Sequence, residues 1–173
     1  FNRHETWAEM ARPWMDYLAR SCYMLQQGRN VADVLVFYGE DTSVTGTFGY
    51  SVPDVARGWN YDFVSPSALL TEIRAGDGKM YTASGQEYSL LVLQGRCRTM
   101  SLEVLRKIAQ ISRAGVRICG LPPERPASLQ DDCGEFYALV NEIWNSGTND
   151  IFLTHPHEHL AKIGVSKDLD GPG

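Results

Sequence analysis

Positive charge is scarce and dispersed in this 173-residue chain. Sixteen Lys and Arg stand against 21 Asp and Glu, for a formal net charge of −5. No basic cluster offers a stripe for a phosphate backbone, so nucleic acid is not an expected partner. No apolar run approaches the ~20 residues that a membrane-spanning helix needs, so no membrane partner is expected either. The four cysteines, Cys22, Cys97, Cys119 and Cys133, contain no Cys-x-x-Cys pair, and a zinc site is not expected. Cys22, in a helical stretch, and Cys119, in a strand stretch, have apolar neighbours and are expected in the core; disulfide pairing stays open. Neither G-x-G-x-x-G nor a phosphate loop with Gly-Lys-Ser/Thr occurs, which removes the usual nucleotide signatures. There is no internal repeat and no low-complexity tract. The chain opens at Phe1 without an initiator Met or a signal peptide, and it is expected to be a piece of a larger protein.

What is present is a balanced globular composition. Hydrophobic residues make up 43% of the chain and charged residues 21%, enough for one real core, or for one domain plus a helix docked on a neighbour. Four Trp, eight Tyr and six Phe form a generous aromatic allowance, common in carbohydrate-handling proteins and equally common in cores.

The pattern along the chain alternates. Thr6-Trp7-Ala8-Glu9 has the form of a capping box, opening a helix that runs to about Gln27 and stops at Gly28. Pro13 is expected to kink or restart it. Trp14, Leu18, Cys22 and Leu25 recur at helical spacing and predict one buried face, packed on something outside this chain. Residues 31–38 form a nearly continuous apolar run, the mark of a strand covered on both faces of a parallel sheet. A long polar loop follows from Glu40 to Asn60. Ser65-Pro66 starts a helix through about Arg74. Asp77-Gly78 and Ser84-Gly85 mark turns around a short strand near Met80. Then come a strand over 88–94, a helix capped by Ser101 that ends at Gly115, and a strand over 116–121. A helix capped by Ser128 runs to about Asn145, and a last short strand covers 151–154. This alternation predicts an α/β domain: an open parallel three-layer sheet, flavodoxin-like or glutamine-amidotransferase-like.

Several stretches carry a family resemblance. Arg3-His4-x-Thr6-Trp7, the helix ending Leu25-Gln26-Gln27-Gly28, and Val31-Ala32-Asp33-Val34-Leu35-Val36-Phe37-Tyr38-Gly39-Glu40 resemble the bacterial α-L-rhamnosidases of glycoside hydrolase family 106. The likeness continues at Gly58-Trp59-Asn60-Tyr61-Asp62-Phe63-Val64, at Ser84-Gly85-Gln86-Glu87-Tyr88 with the strand after it, and at Met100 with the helix after it. It thins after about residue 125. The resemblance implies that residues 1–29 are the terminal helix of an upstream catalytic (β/α)8 barrel, 30–165 an α/β accessory domain, and 166–173 a link to a further region. It implies an inverting, calcium-assisted parent enzyme, periplasmic or secreted, acting on rhamnose-containing oligo- or polysaccharides. The catalytic pair is then expected upstream of Phe1, and this chain alone is expected to be inactive.

Four residues stand out as candidates for substrate binding: Arg3, His4, Glu5 and Trp7. Loops at the carboxyl ends of barrel strands line the active site, and this cluster would follow the eighth strand. Arg and His hydrogen-bond sugar hydroxyls, Trp offers a stacking face, and Glu5 is a possible acid, base or ligand; the plainer alternative sets Glu5 against the helix dipole and Trp7 in the core. No catalytic residue is assigned, although Glu40, Asp54 and Asp62 could approach a cleft. His155, His157 and His159 invite a metal reading, but Pro156 suits the first turn of a surface helix, and no metal ligand is assigned. Gly95-Arg96-Cys97-Arg98 lies between a strand and a helix, where a nucleophilic Cys can sit, but the flanking Gly of a nucleophile elbow is missing at residue 99. Two rivals therefore stand beside the glycosidase reading. One is a non-catalytic structural or oligomerisation module of another carbohydrate-active enzyme; the other is an amidotransferase-like Cys hydrolase.

Overall fold

A computed structural model of the chain describes residues 6–41, 58–94, 97–145, 147 and 156–168. The chain divides into two compact units, Phe1–Asn30 and Val31–Gly173. In the first, a single 3-10 turn, Ala8–Met10, precedes helix α1, Arg12–Leu25. Pro13 falls in the first turn of α1, where its missing N–H costs nothing, so the restart expected at Pro13 is what occurs. The capping box does not form: Trp7 precedes the 3-10 turn and no side chain caps it. Nor does the apolar stripe find cover. No residue of α1 is buried, Cys22 is exposed, and Leu25 is 83% exposed. The expectation of Cys22 as a core residue is corrected accordingly.

The second unit is built on a parallel sheet of four strands: β1 (Val34–Phe37), β2 (Tyr61–Val64), β6 (Leu90–Leu93) and β8 (Arg117–Cys119), in the order β2-β1-β6-β8. Every neighbouring pair is parallel, with Val34 opposite both Tyr61 and Leu90. Both β1 and β6 are buried at every position, as an apolar run without alternation requires. Strand β2 lay unforeseen between loop and helix, because Tyr-Asp-Phe-Val carries a charge in its middle. It sits at the sheet edge, where Asp62 finds a partner.

The two faces of the sheet are covered by different elements. Leu35, Phe37, Leu91, Leu93 and Ile118 point to a large core shared with helices α2 (Pro66–Thr71), α3 (Leu102–Arg113) and α4 (Cys133–Asn145). Val34, Val36, Leu90, Val92 and Cys119 point to a smaller one, closed by Trp59 and by Leu160 of α5 (Pro156–Lys162). The result is a three-layer α/β unit. Ser65 caps α2 through Ala68 N–H, with Pro66 in the first turn, but α2 stops at Thr71 and not near Arg74. Arg74 instead opens a small antiparallel sheet of β3 (Arg74–Gly76), β4 (Lys79–Tyr81) and β5 (Glu87–Tyr88). Its first turn is Asp77-Gly78, both with positive φ (52° and 76°), the geometry that Asp-Gly hairpins favour.

Helix α3 is the best specified element. Ser101 Oγ accepts from Val104 N–H, Glu40 Oε2 accepts from Ser101 N–H at 2.5 Å, and Asp131 Oδ2 accepts from Leu102 N–H. Gly115 ends it with φ 85°. A two-strand ladder, β7 (Thr99–Met100) with β9 (Arg125–Pro126), flanks its start. Helix α4 begins at Cys133 and not at Ser128: Asp132 Oδ1 accepts from Gly134 and Glu135 N–H, while Ser128 Oγ turns onto Gln130 N–H. At the far end, Trp144 Nε1 donates to the Gly120 carbonyl at 2.8 Å. Gly120 (φ 146°) lies so close to β6 that an added Cβ would meet Leu93 Cβ at 2.7 Å. The strand expected over 151–154 and most of the loop 40–60 lie outside the described residues.

Candidate functional site

In an open parallel sheet, ligands bind beyond the carboxyl ends of the strands, where the strand order reverses. Here that point lies between β1 and β6, and it is filled. Gln94 N–H donates to the Phe37 carbonyl at 3.0 Å, and Cys97 N–H donates to the Gln94 carbonyl. Cys97 Sγ lies 3.6 Å from the same Phe37 carbonyl. Gly39, with φ 92°, passes so close that a Cβ would sit 3.3 Å from Cys97 Sγ. Burial pushes the Cys97 thiol up to about 12. Buried beneath Gly39 and against the Phe37 carbonyl, this thiol has the surroundings of a packed core cysteine, which counts against the amidotransferase-like alternative. Beside it remains a hollow of about 210 Å³ bounded by Gln94, Cys97, Arg98, Leu121, Pro122 and Glu124. Its charges are already matched, since the Arg98 guanidinium is paired with Glu124.

The other carboxylates considered from sequence are engaged as well. Glu40 is spent on the start of α3. Asp62 Oδ2 accepts a hydrogen bond from the Tyr88 hydroxyl at 3.0 Å, and burial together with Asp62 raises the Tyr88 pKa. Asp54, Arg3, His4 and Glu5 lie outside the described residues, as do Arg96, His155 and the side chains of His157 and His159. Trp7 is described and is 41% exposed. Among the described residues, no group of three or more His, Cys, Asp or Glu converges to hold a metal ion.

A larger hollow, about 610 Å³, opens at the amino ends of the strands. Sequence reasoning missed it, because its walls come from five separate stretches: 31–33, 77–79, 89, 115–117 and 163–168. Only the Asp-Gly turn and the clustered small residues hinted at a place where backbone runs close to backbone. Ser89 and Leu90 N–H both donate to the Asp33 carbonyl, and Gly78 N–H donates to the Ala114 carbonyl at the end of α3. Asp168 ties the last wall down. Its carboxylate accepts from Asn60 N–H and its own N–H donates to the Gly58 carbonyl, both at 2.8 Å. The Asp33 carboxyl is raised above its ordinary 3.8, first by partial burial and then by repulsion from Asp168, with Lys79 offsetting in part.

The second unit is thus a three-layer α/β module in which Gln94 and Cys97 occupy the point where the strand order reverses. Comparison with known proteins gives its family. The model for alpha-L-rhamnosidases, glycoside hydrolase family 106, matches residues 1–171. The chain belongs to that family. It is similar to the structure of a rhamnosidase from Novosphingobium sp. PP1Y, with a TM-score of 0.83 and 34% identity, covering 96% of this chain and 17% of that one. It is also 36% identical over 151 residues to a protein of Formosa agariphila provisionally named a beta-glucuronidase; that match covers 85% of this chain and 13% of the relative. The chain therefore spans less than a fifth of either relative.

Proposed function

We propose that this chain is the accessory α/β portion, together with a barrel helix, of an inverting α-L-rhamnosidase. The parent would cleave terminal α-L-rhamnosyl linkages in oligo- or polysaccharides by single displacement, and would be periplasmic or secreted. The observation that carries this reading is the asymmetry of the structural match, nearly all of this chain against 17% of a rhamnosidase.

The chemistry agrees. An inverting glycosidase needs two carboxyl groups about 6.5–9.5 Å apart, one as acid and one as base toward a water. In the described residues Glu40, Asp62, Asp131 and Asp132 hold backbone or a tyrosine, and Glu87, Glu124, Glu135 and Glu142 are paired with Lys or Arg. These acids serve the scaffold. That engagement supports placing the catalytic pair in the rest of the proposed parent, with Arg3, His4, Glu5 and Trp7 as this chain's contribution to the sugar. The exposed apolar face of α1 is the surface the barrel would cover. The calcium expected of the parent has no ligand cluster among the described residues, so no residue here is given to it. The order β2-β1-β6-β8 supports a flavodoxin-like sheet, since it follows the opening 2-1-3-4 of that arrangement.

The test is rhamnose release from an aryl α-L-rhamnoside, with and without calcium, by this chain and by a longer polypeptide extended upstream. Activity in the longer protein alone is expected, because half a constellation has no transition state to stabilise. Equal activity in the short chain would overturn the scaffold role. Release from an aryl β-D-glucuronide, with none from the rhamnoside, would overturn the substrate.

A further inference from the structure

The hollow at the amino ends of the strands has a chemistry of its own. Its volume, about 610 Å³, falls within the range of small-molecule sites. Its walls are held by backbone hydrogen bonds and are set before any ligand arrives. Two of its polar side chains, Asp33 and Arg117, take part in no hydrogen bond or ion pair among the described residues. Lys79, by contrast, is committed to Glu87 at 2.7 Å, and Asp168 to Asn60. An acceptor and a five-donor fork are thus left over in its lining.

The charge balance decides the ligand class. Three carboxylates, Asp33, Asp77 and Asp168, share the hollow with two cations, one of them already neutralised. The carboxyl end of α3, at Ala114 and Gly115, adds a negative partial charge. An anion would meet repulsion here, and the described residues form no cluster for a metal ion. A neutral, hydroxyl-rich molecule meets neither obstacle. Val31, Ile163 and Val165 supply an apolar wall beside these polar groups, which suits a ring with hydroxyls on its edge and C–H groups on its face.

We propose that this hollow binds a neutral saccharide residue, with Asp33 accepting from and Arg117 donating to its hydroxyls. The proposal goes beyond the rhamnosidase reading, because it concerns sugar binding by this chain itself and requires no hydrolysis. It gives the accessory unit a hold on a glycan at a point fixed to the sheet.

Titration of the 173-residue chain with methyl α-L-rhamnoside and methyl α-D-glucoside, followed by backbone amide NMR shifts, tests it. At least one of the two is expected to bind weakly, near ~1 mM, and to shift the amides of residues 31–33, 77–79 and 115–117. Arg117→Met and Asp33→Ala should each weaken binding roughly tenfold, as loss of a hydrogen bond to a charged group does. Arg106→Ala, at an ion pair elsewhere, should bind as the parent does. If Asp33→Ala fails to fold, Arg117→Met, on an exposed strand position, still decides the matter. No shift with either sugar, shifts elsewhere only, or tighter binding of sodium glucuronate than of both neutral sugars would overturn the proposal. Failure of hydrolysis in the longer protein would leave it standing.

Discussion

Helices α1 and α3 are of similar length, 14 and 12 residues, and both alternate apolar and polar residues at helical spacing. Their outcomes are opposite. Helix α3 buries Leu102, Val104, Leu105, Ile108, Ala109 and Ile111 against the sheet and α4. Helix α1 buries nothing and leaves Trp14, Met15, Tyr17, Tyr23, Met24 and Leu25 exposed. An amphipathic pattern states that a face is meant to be covered, but it does not state by what. Each fully buried Leu or Ile is worth ~1.5–3 kcal/mol over an exposed one, so within this chain α3 contributes stability and α1 contributes almost none.

The widest separation should appear in thiol chemistry. Cys22 in α1 is exposed, whereas Cys97 is buried with its pKa at about 12. At pH 8 the thiolate fraction of Cys97 is ~10³-fold below that of an ordinary thiol, before access is considered. Maleimide labelling followed by peptide mapping should find Cys22 and Cys133 modified quickly and Cys97 and Cys119 protected. Rapid modification of Cys97 in the folded protein would refute its role as packing and revive it as a reactive group.

Next in size is a matched pair of truncations. Leu105→Ala should cost ~2–5 kcal/mol in urea unfolding, since it opens a void in the main core. Leu25→Ala should stay within ~0.5 kcal/mol. If the proposed barrel covers this face, Leu25→Ala should become costly in a polypeptide extended upstream. Equal costs for the two changes in the present chain would show that α1 is stabilised by contacts of its own. A smaller loss, ~1 kcal/mol, is expected for Trp59→Phe, which keeps the ring in the second core but removes the Nε1–H bond to the Val165 carbonyl.

The sequence was most legible where local chemistry and tertiary structure agree. Ser101, the apolar face of α3 and Gly115 each signal the same helix, and all three are used as expected. Strands β1 and β6 announce themselves by apolar runs too short for helices and too continuous for an exposed sheet. Legibility failed where a long-range partner outweighs a local one. Ser128 has the right form for a cap, but Asp132 takes that place while Asp131 reaches across to α3. Edge strand β2 holds an Asp whose Tyr88 partner lies 26 positions away. The hollow at the amino ends was invisible for the same reason, being assembled from loops that the sequence separates by more than a hundred residues. The family resemblance was readable because it rests on contiguous words such as Gly58-Trp59-Asn60-Tyr61-Asp62-Phe63, which the structure uses to clasp the segment after α5.

The two ends of the sheet provide the subtlest contrast, and Asp33 is its measure. At the carboxyl end Glu40 is engaged by a backbone N–H, whereas at the amino end the Asp33 carboxylate is left facing the hollow. Its folded pKa is raised above 3.8, chiefly by burial, so the fold prefers the protonated form. The stability gained from that preference is complete below pH 3.8 and is lost as pH rises through the folded pKa; near neutrality the charged Asp33 is a small burden. Asp33→Asn keeps the shape and removes the charge. The variant should be more stable than the parent at pH 7 by a fraction of a kcal/mol, the effect being reduced by solvent screening at a part-exposed site. The advantage should shrink toward pH 3, where the parent is protonated too. A loss of stability at pH 7 would mean that the carboxylate is already satisfied in the folded chain, as Glu40 is at the carboxyl end.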